Sequence, residues 1–332
     1  MRGFPHPSRH SRDTFPAGEG LLVRALECGV PALALRAFSL TEGDCLNRGK
    51  WGETPLYIWN GRRYNKLYAY AKVTDGRTIM AKIIAITNQK GGVGKTTTSV
   101  NLTAILADMG QKVLVVDLDP QGNTTSGLGM TVEDNSVYEA LLGRIALRDC
   151  IQETPYRNLS IAGSDIRLAG AELELVAMEK REFRLKTALA TVQKDYDFIF
   201  IDCPPSLSLL TLNALTAADT VLIPIQCEYY ALEGVTSLMN TVNRVKRTIN
   251  PHIDVEGVLL TMLDGRTNLG LQVVDQVKKH FRKKVFATTI PRSVRLGEAP
   301  SHGEPIHVYD GRSAGAVAYR ALAQEVLERN RK

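Results

Sequence analysis

The sequence predicts a doubly wound α/β domain over residues 80–332, a mostly parallel sheet flanked by helices. Three observations carry this prediction. Short apolar runs alternate with helix-like stretches along the whole segment, which is the pattern of repeated strand–helix–strand units. The runs are β-branched and apolar on both faces, as strands of a sheet covered from two sides must be. A glycine-rich turn joins the first run to the first helix-like stretch.

The elements follow in order. The first strand is KIIAIT (82–87), and beyond the glycine-rich turn a helix spans 95–109. The next strands are KVLVVDLD (112–119) and LSIAG (159–163), then helix-like stretches 165–178 and 182–194. The run DFIFIDCPP (197–205) is stopped by Pro204 and Pro205, which lack the N–H that a strand ladder needs. A helix over 206–217 precedes TVLIPIQ (220–226), a helix over 231–248 precedes VEGVLLTML (255–263), and a helix over 268–281 precedes KVFATTIP (284–291). A last helix, 313–329, ends the chain. There is no internal repeat or low-complexity tract. About 250 residues suffice for one such core.

Composition is that of an ordinary globular protein: 44% hydrophobic and 23% charged in 332 residues. The net charge of +6 is uneven. Residues 1–79 hold 12 Lys/Arg and 7 Asp/Glu, and the rest hold 29 and 28. Any attraction of the main body for a polyanion must therefore come from a local patch. Cys28, Cys45, Cys150, Cys203 and Cys227 are scattered, with no C-x-x-C pair, which argues against a disulfide framework or a zinc site and suits a reducing cytoplasm. The longest apolar stretch, GLLVRALECGVPALALRAFSL, is broken by Arg24, Glu27, Pro31 and Arg36, so it reads as neither membrane span nor signal peptide. Residues 1–79 are turn-rich, without a sustained helix or strand period. They are read as a disordered extension or as a product of start-site choice, with Met80 the initiator. The rival reading, a small accessory or DNA-binding domain, lacks a helix-turn-helix pattern.

ITNQKGGVGKTTTS (86–99) has the strand–loop–helix context of a phosphate loop, although Gln89 stands where the common motif has glycine. Gly91, Gly92 and Gly94 let backbone N–H groups turn toward phosphate oxygens, and the helix that follows adds its positive end. Lys95 is placed to reach the β- and γ-phosphates, Thr96 to ligate Mg²⁺, and Thr97 to add a donor. The loop has a second lysine, Lys90. At the outer edge it could reach a nucleotide held by a second copy and stabilise charge developing in phosphoryl transfer. FIFID is a strand of four apolar residues ending in Asp202, the carboxylate that supports Mg²⁺ through a water or the Thr96 hydroxyl. Asp117 and Asp119 alternate with Leu118, so on an extended strand both face the same side at the carboxyl edge, where α/β ligands sit. Carboxylates there can hold Mg²⁺ directly or through water, Asp119 being the metal-ligand candidate of the two, or can orient an attacking water.

KGGVGKTTT with VLVVDLDPQGN and FIFIDCPPS resembles the deviant Walker A ATPases, most closely the ParA/Soj partitioning family. AGAELELV, CEYYALEG, TMLDGRTNL and IPRSVRLGEAPSHG extend the resemblance over 80–330, but not over 1–79. It implies a Mg²⁺-dependent ATP hydrolase with ATP and Mg²⁺ as cofactors. Lys90, Gly91, Gly92, Val93, Gly94, Lys95, Thr96 and Thr97 would hold the nucleotide, with Lys90 the signature lysine that touches the partner's. Asp119 matches the switch I carboxylate that positions the attacking water near the metal, with Asp117 in support. Pro291 matches a position whose backbone meets adenine; Ser293 stands where relatives often have Asn. Arg266 and Arg295, with Arg292 beside them, match DNA contacts. The implied partners are a second copy in an ATP-bound sandwich dimer, nonspecific DNA, and a ParB-type centromere-binding protein that stimulates hydrolysis. The implied location is the cytoplasm, on the nucleoid, with no membrane. KKHFRKK (278–284) adds a cationic run suited to phosphate-backbone contact.

Two other readings share the loop. A MinD-like membrane-positioning ATPase needs an amphipathic C-terminal anchor. The end of this chain, AGAVAYRALAQEVLERNRK, reads instead as a docked helix. An electron-transfer ATPase like the nitrogenase iron protein needs cysteines that hold a cluster between subunits, and no comparable pair follows the switch region.

Overall fold

The computed structural model describes the strands 54–59 and 64–69 and residues 80–228, 231–263 and 268–331. The chain divides into two compact units, Met1–Asp75 with Lys332, and Gly76–Arg331. In the first, β1 (Thr54–Trp59) and β2 (Tyr64–Ala69) form an antiparallel hairpin. This departs from the expectation of a segment with no strand period. The aromatic and β-branched residues of the two strands favour pairing, and Asn60-Gly61 between them is a hairpin signal in the sequence. The rest of the reading of 1–79 as an extension lies outside the described residues.

The second unit is built on eight strands: β3 (Lys82–Ile86), β4 (Val113–Asp117), β5 (Ile151–Glu153), β6 (Leu159–Ala162), β7 (Phe198–Asp202), β8 (Thr220–Gln226), β9 (Asp254–Leu263) and β10 (Val285–Pro291). They lie in the order β10-β9-β8-β3-β7-β4-β6-β5. All are parallel except β5, which runs antiparallel to β6. Every strand read from the sequence is present. The edge strand β5 is additional; its three residues, none buried, are too short and too exposed to give an apolar run.

The described helices are α1 (Lys95–Asp108), α2 (Asn123–Gly127), α3 (Val137–Leu142), α4 (Leu168–Val176), α5 (Arg184–Ala190), α6 (Leu209–Ala217), α7 (Ala231–Thr248), α8 (Asn268–Phe281), α9 (Val294–Glu298), α10 (Ile306–Tyr309) and α11 (Ala314–Arg329). Alternate residues of each central strand enter opposite cores, as the two-residue strand period requires. Ile84, Val113, Val115 and Phe200 pack with α1 and α11. Leu114, Val116, Ile199 and Ile201 pack with α3 to α6. Farther along, Val221, Ile223, Val258 and Leu260 pack with α7 and α8. Each such side chain contributes roughly 1.5–3 kcal/mol of burial free energy, so the central strands, which carry the loops at their carboxyl ends, are firmly held from both faces.

Two features bear on function. Because the strands are parallel, their carboxyl ends share one edge, and residues 87–94, 118–122, 203–208 and 292–293 lie along it. The C-terminal helix α11 is docked: Ala316, Tyr319, Leu322, Ala323 and Val326 are buried. Its Glu325 accepts the amides of Ala287 (2.9 Å) and Thr288 (3.0 Å) on the edge strand β10. Among the described residues, no helix is long and apolar enough to cross a membrane.

Candidate functional site

The loop between β3 and α1 has the backbone its glycines imply. Gly94 caps α1 with φ +89, a left-handed conformation that a residue with Cβ adopts only at a cost. Asn88 fixes the entry: its Nδ2 donates to Pro224 O (2.7 Å) and its Oδ1 accepts the amide of Lys90 (3.1 Å). On the far side Thr261 Oγ1 of β9 donates to Val93 O (2.8 Å). The loop is thus tied to β8 and β9, and Val93 is buried. Gly91 and Gly92 are exposed, and Thr96 and Thr97 are half-buried.

The two lysines occupy opposite environments. Lys95 is buried at 7% exposure, and its Nζ donates to Lys90 O (3.1 Å) across its own loop. Burial lowers its pKa; Asp202 foremost and Asp119 oppose the shift. The Lys90 side chain is 39% exposed and meets Glu228 at 3.6 Å. Glu228 also faces Arg292 at 3.6 Å and accepts from Gln226. Pairs this exposed contribute roughly 0–1 kcal/mol, so Glu228 rests against Lys90 without locking it. Nothing in CEYYALEG marks this glutamate as a partner of position 90; only the meeting of the two loops does.

The carboxylates form a connected set. Asp202 and Asp117 are register neighbours at the ends of β7 and β4, and both are fully buried. Asp202 Oδ2 accepts from Thr96 Oγ1 (2.9 Å) and Thr124 Oγ1 (2.7 Å), while its buried Oδ1 has no hydrogen-bond partner. Asp117 Oδ2 accepts the amide (2.9 Å) and hydroxyl (2.8 Å) of Thr125, and Oδ1 accepts the Asp119 amide (3.2 Å). Asp117 is therefore the tether of α2. Asp119 lies beyond the end of β4, where strand alternation no longer sets its direction. Its Oδ1 accepts the Gln121 amide (3.0 Å), and its carbonyl accepts from Ser164 Oγ (2.8 Å). The turn to α2 closes at Gly122, φ +63, where a Cβ would stand 2.8 Å from Ser164 O. Thr124, Thr125 and Ser164 are functional supports that the sequence pattern does not single out.

Burial pushes both Asp117 and Asp202 upward. The charge of Asp202 adds to the rise at Asp117, which reaches about 7, while hydrogen bonds from Thr124 and Thr96 hold Asp202 back. A carboxyl raised above its unfolded value of about 4 lends stability at low pH and loses it as pH rises through the folded value. The nucleotide-free protein should therefore lose on the order of 2 kcal/mol between pH 5 and pH 8. Asp117→Asn keeps one oxygen for Thr125 and removes the charge, so its urea midpoint should fall less over that range. Parallel wild-type and variant curves would exclude Asp117 as the source.

The buried, partnerless oxygen of Asp202, beside a threonine hydroxyl at a helix N-terminus, fits a hydrated hard cation carried with a phosphate chain. Among the described residues, no three His, Cys, Asp or Glu side chains gather into a metal-binding group, so phosphate and water would supply the remaining ligands. A cleft of about 250 Å³ opens beside Thr96 and Thr97, with Asn123 and Ser126 of α2 on one side and Ala299 and Pro300 on another. Pro291 ends β10 opposite Leu263 and Ser293 caps α9. Arg292 and Arg295 are exposed at this same edge; Arg295 meets Glu298 (2.9 Å) and Asp310 (3.5 Å). Arg266 lies outside the described residues. The run 278–284 is not brought to this site: α8 carries it back to the amino edge of the sheet, where β10 begins.

Residues 81–255 match a family described as AAA domain. The chain is 61% identical over 249 residues, 74% of its length, to the sporulation initiation inhibitor protein Soj of Bacillus subtilis strain 168, of which the match covers 98%. It is 51% identical over 265 residues, 79% of its length, to the chromosome partitioning protein ParA of Myxococcus xanthus strain DK1622, covering 93% of that protein. Among solved structures, it is similar to a Mycobacterium smegmatis cobyrinic acid a,c-diamide synthase with bound ADP and magnesium, at 39% identity and TM-score 0.66, covering 75% of this chain and 95% of that one. With the fold, the loop and these relatives together, the chain belongs to the ParA/Soj family of P-loop ATPases.

Proposed function

We propose that this chain is a partitioning ATPase in which ATP makes two copies pair, and the pair holds DNA. One observation carries the reading: the loop's two lysines are divided between an interior and a rim position. Lys95 is committed to its own loop, while Lys90 stands at the rim with only a weak surface partner. A triphosphate on a facing copy offers more charge than Glu228 in a less hydrated setting, so Lys90 exchanges partners when two copies close. Nucleotide state then sets the population of dimer. Thr96 and Asp202 would hold Mg²⁺ against the phosphates, and the cation would neutralise charge that builds on the phosphoryl oxygens. Asp119 orients and deprotonates the attacking water, and Gly91 to Thr97 and Lys95 hold the phosphate chain in line. Pro291 and Ser293 border the base.

DNA is gripped without sequence preference by Arg266, Arg292 and Arg295, pooled from both copies. A ParB-type partner completes the catalytic geometry and speeds release. The protein works in the cytoplasm on the nucleoid, not on a membrane; the docking of α11 supports this over the MinD-like alternative.

The test is DNA retention and sedimentation with ATP and with ADP. Wild type should pair and bind tightly only with ATP, with retention lost as salt rises. Lys90→Ala should lose ATP-driven pairing while binding Mg-ATP within about threefold of wild type, since the position contributes little in its own loop. Arg295→Ala should pair normally and lose at least tenfold in DNA affinity at moderate salt. Pairing unchanged in Lys90→Ala would refute the exchange.

A further inference from the structure

A second cationic surface lies at the other edge of the sheet. α7 and α8 share one core, to which α7 contributes Leu238, Val242 and Val245 and α8 contributes Val273, Val274 and Val277. Both helices return from the carboxyl edge, so their last turns emerge at the same amino edge. Lys246 and Arg247 end α7, Lys278 and Lys279 end α8, and Arg282 and Lys283 follow in a 3₁₀ turn. All six are exposed. Burial works to raise the carboxyl of Asp254, at the start of β9, but Lys284, the Val255 amide and then Lys246 hold it low, and it meets Lys284 at 2.7 Å. With Lys284 the patch sets seven cations against two exposed carboxylates, Asp254 and Asp275. Residues 80–332 as a whole have an excess of one, so the concentration of charge is local.

The helix dipole accounts for cations in the two last turns. It does not account for Arg282 and Lys283, which lie beyond α8. Arg282 has φ +48, at a helix end where glycine would be the least costly residue. A cation therefore stands at a position whose backbone does not favour it.

We infer that this edge is a second contact for the DNA phosphate backbone, present in each protomer and independent of nucleotide. The inference rests on the DNA-binding reading above and adds a second place of contact to it. A lipid surface is the poorer occupant. Membrane-lying surfaces insert apolar side chains, and no exposed large hydrophobic of the described residues lies on α7, α8 or the turn that follows. The ten residues of β9 separate the two edges by about 30 Å. That is several Debye lengths at physiological salt, about 8 Å each. The patch and the nucleotide loop thus act without sensing each other's field. A dimer closed through its carboxyl edges leaves both amino-edge patches free, and so could touch DNA on two sides.

The experiment measures retention on random-sequence duplex DNA across a salt series, with ATP and with ADP. The variant is Lys278→Gln/Lys279→Gln/Lys283→Gln, alongside Lys90→Ala and Arg295→Ala. All three substituted lysines are exposed, so the thermal midpoint and DNA-free ATP turnover should match wild type. Wild type with ADP should show weak binding at low salt that Lys90→Ala and Arg295→Ala keep. The triple variant should lose that binding about tenfold or more, and its log–log salt slope should be shallower by about 2–3 in both nucleotide states. An unchanged slope overturns the inference. ATP-dependent retention in wild type with none under ADP overturns it while leaving the proposed function intact. Absence of DNA binding in every state removes both. Flotation of anionic phosphatidylglycerol vesicles that the triple substitution abolishes, with the DNA slope unchanged, replaces DNA by lipid.

Discussion

Lys95→Ala is expected to lower ATP turnover at saturating nucleotide by about 100- to 1,000-fold, the usual loss when one fixed donor to a developing anion is removed. Its affinity for Mg-ATP should fall as well, by about 2–5 kcal/mol, because the phosphate chain loses its buried cation. The fold should survive. Lys95 is desolvated, and burial already disfavours its charged form, so removing the ammonium relieves a cost to the empty protein. The opposing effect is on Asp202, for which Lys95 is a favourable neighbour. The two roughly offset, and the thermal midpoint without nucleotide should move by no more than a few degrees. Isothermal titration and turnover assays read the first effects, and calorimetric unfolding reads the last. Turnover within tenfold of wild type would show that another group carries the phosphate charge.

That loss is foreseeable from the sequence because a glycine-rich turn between an apolar strand and a helix constrains where a following lysine can go. The same is true of Asp202: four buried apolar residues fix β7, and the next side chain necessarily arrives at the carboxyl edge. Local pattern also suffices for the seven strands predicted in this unit, since each is a continuous apolar run with β-branched residues. What the pattern cannot supply is anything decided by the meeting of distant segments. Asp117 and Asp119 look alike in VDLDP, yet β4 ends at Asp117. From there the first is drawn to Thr125 and the second is governed by its own turn. Glu228 faces Lys90 only because β8 and β3 are neighbours in the sheet. The destination of the cations at 278–284 follows from helix direction. A sequence reading puts them with Arg292 and Arg295, whereas an antiparallel return of α8 carries them to the opposite edge. β5 and the shortened helices near 168–190 are half-exposed pieces whose limits are set by neighbours, not by period.

Asp119→Ala should separate turnover from binding more cleanly than any other change in the site. The carboxylate makes its hydrogen bond to the Gln121 amide, within its own turn, and its backbone carbonyl holds Ser164 and Gly122. Truncation to alanine keeps those backbone bonds, and Gly122 still closes the turn with its left-handed φ. What is lost is one buried acceptor, which the proposed function puts near the end of the phosphate chain. A general base of this kind contributes about 10²- to 10⁴-fold, and turnover should fall by that factor. Mg-ATP affinity should stay within about threefold, because the side chain's contribution is made to the water in the transition state and not to bound nucleotide. If hydrolysis is what opens the pair, a variant that binds ATP without cleaving it should accumulate as dimer and remain on DNA longer than wild type under the same salt. Single-turnover hydrolysis with sedimentation in the same samples decides the matter. A fall in ATP affinity that matches the fall in rate would assign Asp119 to holding the nucleotide, and would leave the activation of water to another group of the α2 turn.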